Sequence, residues 1–207
     1  MSQALQPAGP PPGYPWEYWR LVTLHDGRPV LIRPILPGDA PGLAEAIKTA
    51  DADTIHRRFL GGRPQVTPEL LAHLTTVDYL KRFALVAVDP ASQRGVAIAR
   101  YEATGGDVAE VDVAVSPGWR HAGLATDLLL MLAEAATERG IRSFSGSYLA
   151  GNRPIAALIE DVGGPRNQLV EQGIAEFTVG LGRRPDAAGP VDNSGGRSTE
   201  AKGPGRA

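Results

Sequence analysis

The sequence predicts an α/β fold, a mixed β-sheet flanked by helices, and three observations support that prediction. Short apolar runs with a period of two alternate along the chain with segments of helical period. Turn signals such as Asp26-Gly27, Asp89-Pro90 and Gly105-Gly106 separate these segments. Hydrophobic residues make up 43% of the 207 residues and charged residues 21%, which is typical of a globular domain with a sizeable core.

The N-terminal half is predicted to hold a hairpin, helices and three further strands. Two apolar runs flank Asp26-Gly27, as in a β-hairpin. Asp39 in the N-cap position, with Pro41 in the first turn, begins a helix, and Thr67-Pro68-Glu69 begins another. The predicted elements are strands at 21–24 and 30–34, helices at 39–50, 54–60 and from 67 to 74, and strands at 83–88, 96–101 and 108–115.

The C-terminal half alternates helices and strands. A long helix with an apolar stripe runs from Leu124 to Arg139 and is closed by Gly140. A strand at 141–149, a helix at 154–161 and a final strand at 176–181 follow. The whole order, ββααβββαβαβ, indicates a mixed sheet covered by helices.

The folded domain is expected to span residues 17–182. Residues 1–16 are rich in Pro, Gly and Ala, and residues 183–207 are rich in Gly, Pro, Asp and Ser without periodicity, so both segments are predicted to be disordered. An aromatic cluster at residues 16–19 should mark the point where the chain first contacts the domain. The alternative is an exposed aromatic patch that binds a partner.

Composition excludes several kinds of function. The formal net charge is −2. The chain therefore lacks the overall positive charge that would indicate a nucleic-acid or membrane partner. The sequence has no cysteine, which excludes disulfides, thiolate catalysis and Cys-ligated zinc. No metal is expected either, because metal-ligand spacing is absent among His25, His56, His73 and His121.

We expect a soluble, cytoplasmic protein. The N-terminus shows no basic stretch followed by an apolar one, as a secretory signal would. The most apolar run, residues 128–133, is far shorter than the roughly 20 residues that a membrane-spanning helix needs.

A strand followed by a turn and a helix carries the pattern of an anion site. The strand Val111–Val115 alternates and ends at Ser116-Pro117-Gly118, because Pro117 lacks the donor that would continue the ladder. The turn at 120–126 then leads into the long helix. The first N–H groups of a helix have no intrahelical partner and lie at the positive end of its dipole, so they favour an anion.

The side chains of this turn suit a phosphate. Gly123 lets the anion approach the backbone, Ala125 is nearly as small, Thr126 adds a hydroxyl donor and Arg120 adds positive charge. The turn is not a P-loop, because no Gly-Lys-Ser/Thr follows, and no Gly-x-Gly-x-x-Gly is present for a dinucleotide. The alternative is a tight strand-to-helix connection with no ligand.

Residues 111–126 (VDVAVSPGWRHAGLAT) resemble the strand and acetyl-CoA loop of GNAT acetyltransferases, whose loop reads Gln/Arg-x-x-Gly-x-Gly/Ala. The resemblance extends along most of residues 17–182. Within this range the chain is similar in particular to the acetyltransferase domain of bacterial protein-lysine acetyltransferases. The segments that carry it are 32–34 with Asp39, 58–60, 77–79, 99–101, 109–111 and 149–152. The resemblance implies a GNAT fold, in which the mixed sheet is partly split.

The resemblance also implies acetyl-CoA as co-substrate and a set of residues that bind it. Backbone groups of Val113 and Val115 would pair with the pantetheine arm, and Asn152 would hydrogen-bond the cofactor at the start of the next helix. The pyrophosphate would lie in the turn formed by Arg120, His121, Ala122, Gly123, Leu124, Ala125 and Thr126.

Glu110 matches the glutamate that acts as general base in the lysine acetyltransferases. A base is needed because an amine with a pKa near 10.4 is mostly protonated at neutral pH and must lose a proton before it attacks a thioester. Asp112 lies two residues away, hence on the same strand face, and is our second choice for the base; otherwise it is a partner of Arg100.

The predicted reaction is acetyl transfer to a primary amine by direct attack, since no cysteine is available for an acetyl-enzyme. A protein lysine is the expected acceptor. A small-molecule amine and a catalytically silent acyl-CoA-binding module are the alternatives.

Two departures from the family pattern matter. Many GNAT enzymes carry a tyrosine seven residues after the asparagine, where this chain has Ile159, so the general acid is unassigned and Tyr148 is a candidate. The usual Gly-Phe after the last helix is replaced by Gly163-Gly164-Pro165, which predicts a different C-terminal substrate wall.

Overall fold

A computed structural model describes residues 10–51, 64–163 and 165–181. Its strands are β1 (Arg20–Thr23), β2 (Pro29–Pro34), β3 (Arg82–Val88), β4 (Gly95–Gly105), β5 (Val108–Val115), β6 (Ser143–Leu149), β7 (Pro165–Glu171) and β8 (Ile174–Gly180). The helices in these ranges are α1 (Ala40–Thr49), α2 (Pro68–Thr75), α3 (Leu124–Glu138) and α4 (Arg153–Val162). None of the described helices combines the length and hydropathy needed to cross a membrane.

The described strands form one sheet in the order β1-β2-β3-β4-β5-β6-β8-β7. Neighbouring strands are antiparallel except β5 and β6, which are parallel. The predicted mixed sheet with helices on its faces is therefore confirmed.

The parallel pairing of β5 with β6 is short. It joins Val108 to Ser143, Ala109 to Phe144 and Glu110 to Ser145, although both strands continue for several residues beyond these pairs. Gly146 lies at the point of divergence, where an added Cβ would be 3.0 Å from the Phe177 ring and 3.2 Å from the Val111 carbonyl oxygen. Glycine therefore lets both groups approach the apex of the split closely, since a Cβ there would force its neighbours to shift slightly.

The two faces of the sheet carry different cores. The larger core lies under α3 and α4 and includes the fully buried Leu128, Leu132 and Phe144. A smaller cluster around Ile98 packs on the other face against Leu43 of α1. Because successive strand residues point to opposite faces, the valines at 111, 113 and 115 of β5 pack against the larger core, whereas Ala114 packs against the smaller one.

The N-terminal aromatic residues pack onto the domain. Tyr14 is buried and its hydroxyl donates to the Pro34 carbonyl at 2.9 Å, so contact with the domain begins within the segment 1–16 that the sequence predicts to be disordered. Tyr18 is fully buried and donates to Glu138 at 2.6 Å, while Trp16 stays 42% exposed. The aromatic cluster is thus largely part of the fold.

Some elements differ from those predicted. β7 was not expected, because its segment Pro-Arg-Asn-Gln-Leu-Val-Glu has no alternation; it pairs only with β8, at the edge of the sheet, and leaves Leu169 and Val170 exposed. Asp39 occupies the N-cap of α1 but does not cap it with its side chain; the carboxylate instead accepts from the Leu36 N–H at 2.8 Å. The predicted helix at 54–60 and the tail 183–207 lie outside the described residues.

Candidate functional site

A cavity of about 510 Å³ opens between β5 and β6. The diverging halves of the two strands, the turn before α3 and the face of α4 form its walls. Of the predicted cofactor-binding residues, Ala122 is buried in the core at 3% exposure, and the others line the cavity: Val113, Val115, Arg120, His121, Gly123, Leu124, Ala125, Thr126 and Asn152. The fold therefore brings together a segment of β5, the following turn and Asn152, which lies 26 positions after the end of that turn.

The backbone groups of β5 that do not bond to β4 point toward the split. The Ser116 N–H donates to the Val96 carbonyl at 2.9 Å, in line with the register that sets Val115 opposite Ala97. Hydrogen-bonded and non-hydrogen-bonded pairs alternate along an antiparallel ladder, so even-numbered residues of β5 bond to β4. The N–H and C=O groups of residues 111, 113 and 115 therefore point away from β4, into the split.

One of these groups is already engaged by a side chain of the turn. The Val115 carbonyl accepts a hydrogen bond from Nε of Arg120 at 3.1 Å. This contact holds the guanidinium of Arg120 at the wall of the cavity. Val113, in the middle of the open segment, corresponds to the position predicted for the pantetheine arm.

The turn before α3 has the geometry of an anion site. His121 has φ +63° and Gly123 has φ +86°, both in the left-handed region that non-glycine residues rarely adopt. Gly123 is the N-cap of α3, and among the described residues no side chain caps that helix end. The first N–H groups of α3 are thus left for a ligand, and Leu124, Ala125 and Thr126 of this first turn line the cavity.

The β1–β2 hairpin packs against this turn and supports its backbone. The His25 N–H donates to the Ala122 carbonyl at 3.2 Å. Arg28 donates to the Gly118 carbonyl at 3.0 Å and stacks 4.1 Å above the Trp119 ring. Sequence analysis missed both supporting residues, because nothing local links the hairpin to a turn more than 80 residues away.

Gly123 is required for two separate reasons. Its φ of +86° is unfavourable for an L side chain, and an added Cβ would lie 2.8 Å from Cε1 of His25. The imidazole thus packs directly against the backbone at the start of α3. Nearby, burial raises the pKa of Asp127 above the ordinary carboxyl value, and His25 opposes that shift.

The two candidate bases lie on the face away from the larger core, and only one of them lines the cavity. Asp112 is a lining residue, whereas the exposed Glu110 lies at the closed end of the split, next to the lining residue Val111. Across the ladder, Glu110 is opposite Glu102 and Asp112 is opposite Arg100. Glu102 is 3.6 Å from Arg100 and also contacts His73.

The remaining lining residues include the position where the family tyrosine is missing. Ile159 of α4 is buried and lines the cavity, as does Tyr148 of β6. Gln168 of β7 donates from Nε2 to the Tyr148 hydroxyl at 2.8 Å. Sequence analysis missed Gln168 because it did not predict the strand that carries it. No group of three or more acidic or histidine side chains that could hold a metal occurs in the described ranges.

The donor set fits a ligand that carries phosphates at one end and amides along its length. The helix N-terminus and Arg120 suit the phosphates, and the outward-facing backbone groups of β5 suit an amide-bearing arm. Acetyl-CoA has this chemistry.

Comparisons with known proteins point to acetyltransferases. The acetyltransferase (GNAT) family model matches residues 65–163. Acetyltransferase PA5475 of Pseudomonas aeruginosa is 33% identical over 146 residues, covering 69% of this chain and 77% of that protein. Acetyltransferase Pat of Mycolicibacterium smegmatis is 28% identical over 144 residues, covering 69% of this chain and 43% of that protein. The crystal structure of the GNAT domain of S. lividans PAT superposes with a TM-score of 0.73 at 27% identity, covering 81% of this chain and 99% of that domain.

Gly123→Ala should weaken acetyl-CoA binding and destabilise the protein. The left-handed backbone alone costs an alanine roughly 1–2 kcal/mol, and the new Cβ would displace His25. A ligand that binds only the folded state raises its melting temperature, so the thermal shift caused by acetyl-CoA should shrink strongly in this variant. Gly118→Ala is the matched control, because an added Cβ there meets nothing within 4 Å. Equal thermal shifts in the two variants would show that the turn does not bind the ligand.

Proposed function

This chain belongs to the GNAT family of acetyltransferases, and we propose that it transfers the acetyl group of acetyl-CoA to the ε-amine of a protein lysine. Acetyl-CoA is the co-substrate, and the enzyme is an N-acetyltransferase. The identity of the acceptor is the proposed part. The observation that supports a protein acceptor is the position of Glu110, whose side chain is exposed at the closed end of the split and does not line the cavity.

An exposed base suits an acceptor that cannot enter a closed pocket. A lysine on a protein surface brings a bulky backbone with it, and only its narrow four-carbon stem can extend toward the thioester. A small amine has no such limit and is usually bound in an enclosed, largely apolar pocket. The open position of Glu110 is therefore better suited to a macromolecule.

The charges around Glu110 suit an incoming cation. Three carboxylates, those of Glu102, Glu110 and Asp112, lie on neighbouring positions of β4 and β5, with Arg100 between them. A lysine approaches as an ammonium ion because its ordinary pKa is about 10.4. Carboxylates attract that ion and can then accept its proton.

The chain's own residues account for three parts of the reaction. The turn before α3 and the open edge of β5 hold acetyl-CoA, so that its thioester lies in the split. Glu110, or Asp112 as the second choice, takes the proton from the acceptor amine. The neutral nitrogen then attacks the thioester carbonyl carbon directly, because the sequence contains no cysteine that could carry the acetyl group.

Composition supports a cytoplasmic setting for this reaction. The absence of cysteine suits a reducing compartment, and the formal net charge of −2 does not favour nucleic acid or a membrane surface as partner. We therefore propose a cytoplasmic protein as the acceptor.

The acceptor class can be tested by initial rates of CoA release with a panel of amines. We expect lysine-containing proteins and peptides to exceed free lysine and small polyamines in kcat/KM by roughly tenfold or more, because binding energy from the remote parts of a macromolecule lowers the barrier. Peptides in which the lysine is replaced by arginine are the control. A small amine that matches or exceeds the peptides would contradict a protein acceptor.

Glu110→Gln should leave the affinity for acetyl-CoA nearly intact and lower kcat by roughly 10²–10⁴-fold, the usual contribution of a positioned general base. Gln keeps the shape of the side chain but cannot accept the proton. The defect should shrink between about pH 6 and about pH 10, because more of the amine is then neutral without help.

Asp112→Asn is the matched control for this test, since it removes a charge from the same strand face. A large defect in Asp112→Asn with none in Glu110→Gln would transfer the base to Asp112, the carboxylate that lines the cavity. Normal activity of both variants would mean that solvent removes the proton.

A further inference from the structure

We propose that the hydroxyl of Tyr148 is the general acid of this enzyme, which protonates the CoA sulfur as the thioester breaks, and that Gln168 is its positioning residue. The inference rests on acetyl transfer by direct attack as proposed above. It assigns a proton donor in a chain that has Ile159 where the family tyrosine would be.

Tyr148 and Val113 lie at the same distance along the two diverging strands. Glu110 is opposite Ser145 in the last parallel pair. Tyr148 comes three residues after Ser145 in β6, and Val113, whose backbone faces the open split, comes three residues after Glu110 in β5. Both residues line the cavity, and Tyr148 is only 5% exposed. A group that lies between β5 and β6 at this level meets Val113 on one side and Tyr148 on the other.

The proposed acid and base lie on opposite faces of the sheet. Neighbouring residues in register share a face, so Ser145 and Ser147 share the face of Glu110. Tyr148 packs with Phe144 and Phe177 on the face covered by α3 and α4. The split is where the two faces meet. An amine can therefore approach from the side of Glu110 while the leaving sulfur receives a proton from the other side.

The contact with Gln168 leaves the phenolic proton available. Nε2 of an amide only donates, so at 2.8 Å it must donate to the Tyr148 oxygen. The hydroxyl proton is then not used in this contact and can point to another acceptor in the cavity. The contact thus orients the hydroxyl.

The other proton-bearing side chains that line the cavity are less suitable. Arg120, His121 and Thr126 belong to the turn at the phosphate end, and Ser147 faces the side of the base. Ile159 has no proton to donate. An aliphatic hydroxyl is also a much weaker acid than a phenol, whose ordinary pKa is about 10. Tyr148 is the lining residue that combines acidity with the correct face.

The proton balance of the step is complete. The acceptor ammonium loses one proton to the base, which passes it to solvent. The neutral nitrogen then forms a bond to the acetyl carbon, and the second proton that it must lose to become an amide nitrogen leaves through the same base. The carbon–sulfur bond breaks, and its electron pair stays on sulfur, which takes the Tyr148 proton to give the free thiol of CoA. Solvent water then returns a proton to the Tyr148 oxygen. No oxidant, reductant or further reactant is needed.

Tyr148→Phe should lower kcat about 10²-fold or more while the dissociation constant of acetyl-CoA stays within twofold, because the proton is transferred only in the transition state. The ring and its packing against Phe177 are kept. Tyr101→Phe is the matched control: it also removes a buried tyrosine hydroxyl, one that donates to Leu80 at 2.8 Å, and Tyr101 does not line the cavity among the residues described. It should keep the wild-type kcat.

Gln168→Leu is the second variant, on an exposed edge position that tolerates substitution. It should lower kcat about threefold to tenfold with an unchanged KM for acetyl-CoA, an effect expected for loss of a neutral hydrogen bond in the transition state. A merely structural role would leave kcat unchanged or raise KM as well. Either result, or a Tyr148→Phe enzyme with kcat within twofold of the wild type, would overturn the inference.

All variants are assayed with whichever amine the wild type acetylates fastest in the acceptor panel. Preference for a small amine would defeat the protein acceptor but still test Tyr148. A wild type that acetylates lysine peptides, together with a fully active Tyr148→Phe, would defeat the general acid alone. A wild type that acetylates no amine would overturn both.

Discussion

The whole site depends on the parallel pairing of β5 with β6, which stops after three residue pairs. Beyond these pairs, β5 and β6 separate, and the backbone groups of residues 113 and 115 have no partner on β6. Backbone donors and acceptors are costly to leave unpaired when water is excluded. A ligand with amides along its length would satisfy them as a neighbouring strand would, so we propose that the break in the sheet is where the arm of acetyl-CoA binds.

The other features of the site follow from this break. The turn after β5 begins α3 at the mouth of the split, and the β1–β2 hairpin fixes its backbone through His25 and Arg28. Glu110 lies on one face of the sheet and Tyr148 on the other. In the proposed mechanism, this placement separates removal of the amine proton from protonation of the sulfur.

Sequence reasoning succeeded where the signal was local. The alternation of β5, its stop at Pro117 and the glycine before α3 lie within 16 residues, and they predicted the strand, the turn and the helix. The cofactor-binding residues came from the resemblance of this segment to the GNAT loop, and all of them except Ala122 line the cavity. Sequence reasoning failed where the cause was distant. β7 has no periodicity and forms only because β8 offers an edge, so Gln168 was invisible, and the contact of His25 with Gly123 joins residues far apart in the chain.

The most direct test of this account is amide hydrogen exchange of β5, measured by NMR with and without CoA. Without ligand, the amides of Asp112 and Ala114 should exchange slowly, because they bond to β4, and those of Val113 and Val115 should exchange fast. Addition of CoA should slow Val113 and Val115 by roughly tenfold or more and leave the other two unchanged. Val113 and Val115 amides that are already protected without ligand, or that do not respond to CoA, would contradict it.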